Sequence, residues 1–100
     1  MINQLFDITG RIALVTGSSK GIGRALAQGL LESSAIVVLN GRDEAALART
    51  RAELAEITGS KPYVQAFDVT DPSAVAAGIV SIEENVGPIE ILVNNTGAQH

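Results

Sequence analysis

The sequence predicts an α/β fold in which helices cover both faces of a parallel sheet. Two observations lead to this prediction. Short apolar runs alternate with helical patterns along the chain, and its apolar residues are mainly aliphatic. Hydrophobic residues make up 46% of the 100 residues and aromatic residues only 3%, so Val, Ile, Leu and Ala must fill the core. Such a core is typical of parallel strands that are buried on both faces.

Four strands and three helices are predicted in strict alternation. The strands are expected at 12–15, 35–39, 63–67 and 91–93, and the helical patterns at 22–30, 43–57 and 71–86. Because helical crossovers join successive strands, the strands must be parallel. The predicted βαβαβαβ order gives an open, doubly wound sheet of the Rossmann type with strand order 3-2-1-4.

Each predicted helix has one apolar face. The residues expected to be buried are Ile22, Ala25, Leu26, Gly29 and Leu30 in the first helix, Leu47, Leu54 and Ile57 in the second, and Val75, Ile79, Ile82 and Val86 in the third. Asp43 and Asp71 are the expected N-caps, and Gly59 ends the second helix. Ser34 follows the first helix where a left-handed residue is favoured, at a cost of about 1 kcal/mol for a serine.

Composition excludes several functional classes. The formal net charge of −4 argues against a nucleic-acid partner, whose phosphates require a basic surface. The longest clean apolar run, 35–39, is too short to span a bilayer, and no basic segment followed by an apolar run is present at the N-terminus. The chain has no cysteine and its single histidine, His100, has no metal-binding neighbour. We expect a cytoplasmic protein without a metal, a membrane segment or a disulfide.

A glycine-rich segment lies between the first strand and the first helix. It has the spacing Thr-Gly-x-x-x-Gly-x-Gly. This does not fit the P-loop, because no Lys-Ser or Lys-Thr pair follows the second glycine at the required offset. It also misses the common dinucleotide pattern, because Leu26 stands where a third glycine would be. Backbone N–H groups at a helix N-terminus bind phosphate when no Cβ blocks the approach. The candidate phosphate-binding residues are Gly17, Ser19, Lys20, Gly21, Ile22 and Gly23. The alternative is a tight strand-to-helix turn without a ligand.

This spacing and two later motifs resemble the short-chain dehydrogenase/reductase family. The later motifs are Asp68-Val69 after the third strand and Asn94-Asn95-Thr96-Gly97 after the fourth, where Thr96 replaces the family's usual alanine. The resemblance implies that a nicotinamide dinucleotide binds to the chain. It assigns the Asp68 carboxylate and the Val69 backbone to the adenine ring, and Asn95 and Gly97 to the sheet and the adenosine ribose.

The end of the second strand indicates which dinucleotide is bound. NAD-specific sites place an acidic side chain there for the ribose 2′-hydroxyl, whereas NADP-specific sites place a cation nearby. Here Asn40 and Gly41 are followed by Arg42, and Lys20 lies in the glycine-rich segment. We therefore expect Asn40, Arg42 and Lys20 to contribute to an NADP site, with NAD as the less favoured cofactor. The alternative is a simple turn followed by a solvated arginine.

The resemblance also implies a function, an oxidoreductase that interconverts a hydroxyl and a carbonyl. Within the family, three stretches (39–42, 67–71 and 97–99) are most similar to members acting on gluconate and 5-ketogluconate. A 3-oxoacyl reductase, another sugar or polyol dehydrogenase, and a non-catalytic dinucleotide sensor or scaffold remain alternatives.

The family's catalytic Ser, Tyr and Lys lie downstream of the Asn-Asn-Ala-Gly motif, and no equivalent is present in this chain. We therefore expect residues 1–100 to be a dinucleotide-binding half-domain that is incomplete after the fourth strand. By itself it should be inactive, and either self-associated or molten. The full-length protein is expected to be a homo-oligomer that binds a small carbonyl or alcohol substrate.

Overall fold

The computed structural model describes residues 7–95. Its elements, in chain order, are β1 (Ile12–Val15), α1 (Gly21–Glu32), β2 (Ile36–Gly41), α2 (Glu44–Thr58), β3 (Tyr63–Ala66), α3 (Pro72–Asn85) and β4 (Ile91–Val93). The strands form one parallel sheet in the order β3-β2-β1-β4. The predicted fold class and strand order are confirmed. The second strand is displaced from 35–39 to 36–41, and the third ends one residue earlier than predicted.

Strand β1 is central and pairs with β2 on one side and β4 on the other. The pairing continues past its last residue: the N–H of Thr16 donates to the carbonyl of Val93 at 3.0 Å, and the N–H of Ser18 donates to that of Asn40 at 2.9 Å. The segment that leaves β1 is therefore held between the carboxyl ends of both neighbouring strands.

Two hydrophobic cores lie on opposite faces of the sheet. Successive residues of β1 belong to opposite cores: Val15 packs with α1 and α2, whereas Leu14 packs with Ile82 of α3. Strand β2 divides in the same way, with Leu39 in the first core and Val38 in the second. This division follows from the two-residue repeat of a strand and makes the sheet doubly wound.

The predicted apolar face of α1 is wrong. Ile22 and Leu26 are 66% and 42% exposed, and the buried residues of the helix are Gly23, Ala27 and Leu31. An ideal Cβ on Gly23 would lie 2.1 Å from the carbonyl oxygen of Gly17, so the first turn packs directly on backbone. The helix therefore turns its small residues inward, a requirement that a hydrophobicity pattern does not reveal.

The other two helices follow the prediction with one exception. Asp43 and Asp71 cap α2 and α3 by accepting from two backbone N–H groups each, and Gly59 ends α2 in the left-handed conformation. The buried stripe of α2 runs through Leu47, Thr50 and Leu54, and Ile57 is 56% exposed, contrary to the prediction. A stripe through positions 47 and 54 continues at 58, so 57 turns away from the sheet. In α3 the predicted face is at least partly buried.

None of the helices among residues 7–95 is long and apolar enough to cross a membrane.

We predict that Ser34→Gly stabilises the intact protein. Ser34 has a φ of 69°, as expected from its position after α1, and its side chain forms no hydrogen bond within the described part of the chain. Glycine removes a left-handed cost of about 1 kcal/mol. The unfolding temperature should rise for Ser34→Gly but not for the control Ser33→Gly, because Ser33 has a φ of −90°. Equal effects of both variants would contradict this assignment.

We also predict that Gly23→Ala strongly destabilises the intact protein, whereas Gly29→Ala in the same helix does not. A Cβ on Gly23 would overlap the Gly17 carbonyl and lie 2.8 Å from Asn95 Nδ2, but no atom of residues 7–95 lies within 4 Å of a Cβ on Gly29. The first variant should lose about 2–4 kcal/mol, and the second should gain up to about 1 kcal/mol from its better helix propensity. Chemical denaturation measures both. Comparable stability of the two variants would rule out the close approach.

Candidate functional site

A crevice of about 320 Å³ opens at the carboxyl ends of β1, β2 and β3. Seven of the predicted site residues line it, namely Gly17, Ser19, Lys20, Asn40, Arg42, Asp68 and Val69. Gly41, Phe67 and Thr70 complete the lining. Residues that are far apart in the sequence are thus brought together because parallel strands end at one edge of the sheet.

The glycine-rich segment turns through two left-handed glycines, Gly17 with a φ of 59° and Gly21 with a φ of 63°. Lys20 is the N-cap of α1, but its side chain makes no capping bond. The N–H of Arg24 is the first in the helix to find a backbone acceptor, the carbonyl of Lys20 at 3.3 Å. Within residues 7–95, the N–H groups of Gly21, Ile22 and Gly23 have no acceptor. The first turn of α1 therefore offers free donors to an anion.

Ser18, which is fully buried, fixes this segment to β2. Its N–H donates to the carbonyl of Asn40 at 2.9 Å, and its Oγ accepts the N–H of Asn40 at 2.9 Å. The Asn40 side chain is itself committed, because its Nδ2 donates to the carbonyls of Gln65 and Phe67 at 3.0 and 3.2 Å. Asn40 thus joins the end of β2 to the end of β3 and to the segment that leaves β1. Its side-chain amide donates to backbone carbonyls of the protein itself.

Thr16 and Asn95 fix the same segment to the end of β4. The Thr16 Oγ1 accepts the N–H of Asn95 at 2.9 Å, and the Asn95 Nδ2 donates to the carbonyl of Gly17 at 3.2 Å. Asn95 therefore braces the segment after β1 against the end of β4. Gly97, predicted to line the ribose, and Thr96 lie outside the described residues.

Asp68 forms a tight turn with Thr70 at the third wall of the crevice. Its Oδ1 accepts the Thr70 hydroxyl at 2.6 Å and the Thr70 N–H at 2.9 Å. These bonds, the hydroxyl first, hold the pKa of the Asp68 carboxyl below its ordinary value, and the charge of Arg42 contributes in the same direction. The carboxylate is therefore ionised at neutral pH and can accept a further donor in the crevice.

Lys20 and Arg42 are exposed and line the same crevice from different elements. In the part of the chain that the structure describes, neither forms an ion pair, since the salt bridges there join Arg11 to Glu90 and Arg24 to Glu53. No acidic side chain stands at the last two positions of β2. Two unpaired cations thus face one opening, an arrangement suited to a phosphate group.

Sequence reasoning missed the buried hydroxyl residues that hold the crevice in shape. Besides Ser18, these include Thr50 of α2, whose Oγ1 donates to the carbonyl of Ser19 at 2.7 Å. A polar residue between Leu47 and Leu54 on an otherwise apolar face was the available signal, because a buried hydroxyl requires a partner. Residues 7–95 contain no group of three His, Cys, Asp or Glu side chains placed to hold a metal ion.

Comparison with known proteins places the chain among the dehydrogenases. The family model described as short chain dehydrogenase matches residues 11–100. Gluconate 5-dehydrogenase from Gluconobacter oxydans (strain 621H) is 48% identical over 96 residues, which cover 96% of this chain and 37% of that protein. Acetoacetyl-CoA reductase from Paracoccus denitrificans is 47% identical over 89 residues, covering 87% of this chain and 34% of that one.

Solved structures agree with the sequence relatives. The crystal structure of L-sorbose reductase from Gluconobacter frateurii, complexed with NADPH and L-sorbose, superimposes with a TM-score of 0.85 at 38% identity. The match covers 93% of this chain and 35% of that one. The chain thus spans little more than a third of the length of the proteins it matches. It belongs to the short-chain dehydrogenase family.

Proposed function

We propose that the intact protein is an NADP(H)-dependent oxidoreductase that interconverts a hydroxyl and a carbonyl. The observation that carries this proposal is a pair of cations, Lys20 and Arg42, that form no ion pair within residues 7–95 and line one crevice beside a strand end without an acid. An NADP 2′-phosphate carries close to two negative charges and needs such a pair. Family membership supports the oxidoreductase class.

The residues of the crevice fit the parts of the dinucleotide in order. The free N–H groups at the first turn of α1 suit the pyrophosphate, and the left-handed Gly17 and Gly21 shape the loop beside it. Asp68 and Val69 would take the adenine ring, leaving Lys20 and Arg42 for the 2′-phosphate. A neighbouring fold supports this choice, since L-sorbose reductase was crystallised with NADPH.

The bound dinucleotide would supply or accept the hydride. The residues in this chain bind and orient it, and no Tyr-x-x-x-Lys pattern is present among the 100 residues to move the substrate proton. We infer that this pattern and its partner Ser lie beyond residue 100 in the intact protein. Inactivity of residues 1–100 by themselves accordingly stays a prediction, which an assay of the purified polypeptide checks.

The proposed substrate is gluconate or 5-ketogluconate. Gluconate 5-dehydrogenase and acetoacetyl-CoA reductase are almost equally similar to this chain, so a 3-oxoacyl thioester is the second candidate. In this proposal the part of the chain described here holds the cofactor, so its sequence does not separate the two candidate substrates. Reduction of 5-ketogluconate and acetoacetyl-CoA by the intact protein with NADPH separates them. Exclusive reduction of the thioester would overturn the sugar-acid proposal.

We predict that Arg42→Ala weakens NADPH binding to the intact protein and leaves NADH binding nearly unchanged. A hydrogen-bonded charge pair contributes about 1.5–3 kcal/mol, and the exposure of Arg42 shifts this toward the lower value, so the loss should be about tenfold to a hundredfold. Arg49 is another exposed arginine, carried by α2 and absent from the crevice lining, so Arg49→Ala is the matched control. Fluorescence titration of both cofactors measures the effect.

Gly41→Asp should reverse the preference altogether. A Cβ on Gly41 would lie 3.5 Å from Leu47 and 3.7 Å from Ser19 Oγ, so the first side-chain atom fits without a clash. It would repel the 2′-phosphate and accept from the ribose hydroxyls of NADH. Gly41→Ala introduces the same Cβ without the charge and should keep the NADPH preference. The cofactor proposal is wrong if the wild-type protein binds NADH as tightly as NADPH, or if Arg42→Ala weakens both equally.

A further inference from the structure

Thr50 is the buried polar residue of α2 that the proposed function leaves unexplained. It is 3% exposed and lies between Leu47 and Leu54 on the apolar face of the helix. Its hydroxyl could be satisfied within its own helix, as that of Thr58 is by the carbonyl of Leu54 at 2.7 Å. Instead it donates to the carbonyl of Ser19 across the interface with the glycine-rich segment, also at 2.7 Å.

This bond fixes the peptide group between Ser19 and Lys20. Because a peptide is planar and trans, the carbonyl of Ser19 and the N–H of Lys20 point in opposite directions. Holding that carbonyl on α2 therefore sets the orientation of the backbone at Lys20, which is extended with φ −157° and ψ 172°. Among residues 7–95, the Ser19 carbonyl has no donor other than Thr50.

Helix α2 also begins next to the other cation, Arg42. It begins at Glu44, directly after Arg42 and the N-cap Asp43, and Leu47 lies against Gly41. Helix α2 thus contacts both the glycine-rich segment, through Thr50, and the end of β2, through Leu47. Thr50 lies less than two turns from the first residue of the helix. A second link, the ion pair of Glu53 in α2 with Arg24 in α1, lies one turn farther along.

We propose that Thr50 is a positioning residue that holds Lys20 at the separation from Arg42 that a 2′-phosphate requires. It thereby sets the preference for NADP(H) over NAD(H). The inference rests on the proposed function. It adds helix α2, which carries Thr50, to the two cations as a determinant of cofactor preference. Loss of the hydroxyl releases the Ser19–Lys20 peptide, so binding of a ligand that needs both cations should suffer more than binding of one that needs neither.

The test uses the intact protein and titrations of NADPH and NADH. Thr50→Val keeps the volume but removes the hydroxyl, and it should lower the NADPH-to-NADH affinity ratio about three- to tenfold, as expected for one hydrogen bond. Thr50→Ala, which also removes the hydroxyl, should lower the ratio similarly. Thr50→Ser retains the hydroxyl donor and should keep the NADPH-to-NADH affinity ratio of the wild-type protein. Thr58→Val removes a hydroxyl about 12 Å away along the helix and should leave the ratio unchanged.

A merely structural role would lower the unfolding temperature and weaken both cofactors together. If the wild-type protein prefers NADPH, two results overturn the inference and leave the proposed function intact. Thr50→Val could weaken NADPH and NADH binding equally, or it could leave both affinities unchanged. A wild-type protein without a preference for NADPH refutes the proposed function and this inference with it.

Discussion

The site depends on one constraint: the chain leaving β1 stays bonded to both neighbouring strands after the strand itself has ended. Ser18 binds the end of β2 through its backbone and hydroxyl, while Thr16 bonds to Val93 at the end of β4 and to Asn95 just beyond it. These bonds are buried, where an unpaired polar group would cost about 1–3 kcal/mol, so the arrangement is strongly favoured over a loose turn. A loop that would otherwise be mobile becomes part of the sheet edge.

The close approach of α1 follows from that fixed loop. With the Gly17 carbonyl held by Asn95 Nδ2, only a glycine at 23 allows the first turn of the helix to come down beside it. The N–H groups of that turn, which have no acceptor within residues 7–95, directly follow Lys20 of the crevice lining, and the other walls of the crevice are the ends of β2 and β3. The phosphate binding that we propose for the site would thus be a consequence of packing at the sheet edge. In the proposed function, Lys20 and Arg42 add the choice between dinucleotides.

The sequence predicts the topology and most of the crevice because both depend on local patterns. Alternating apolar runs and caps such as Asp43 define the strands and helices, and polar residues after β1, β2 and β3 converge once the strands are parallel. The inward face of α1 was mispredicted because backbone contact at Gly23 overrides the hydrophobic pattern. The roles of Ser18 and Thr50 depend on partners 22 and 31 residues away, which no local pattern encodes.

A crystal structure of the intact protein with NADP⁺ would show whether this crevice is the cofactor site, because the site is defined by geometry. We expect the 2′-phosphate between the Lys20 ammonium and the Arg42 guanidinium, with the pyrophosphate against the backbone N–H groups at the first turn of α1. The adenine amino group should donate to Asp68. A dinucleotide bound outside this crevice, or a 2′-phosphate in contact with neither cation, would refute the proposed site.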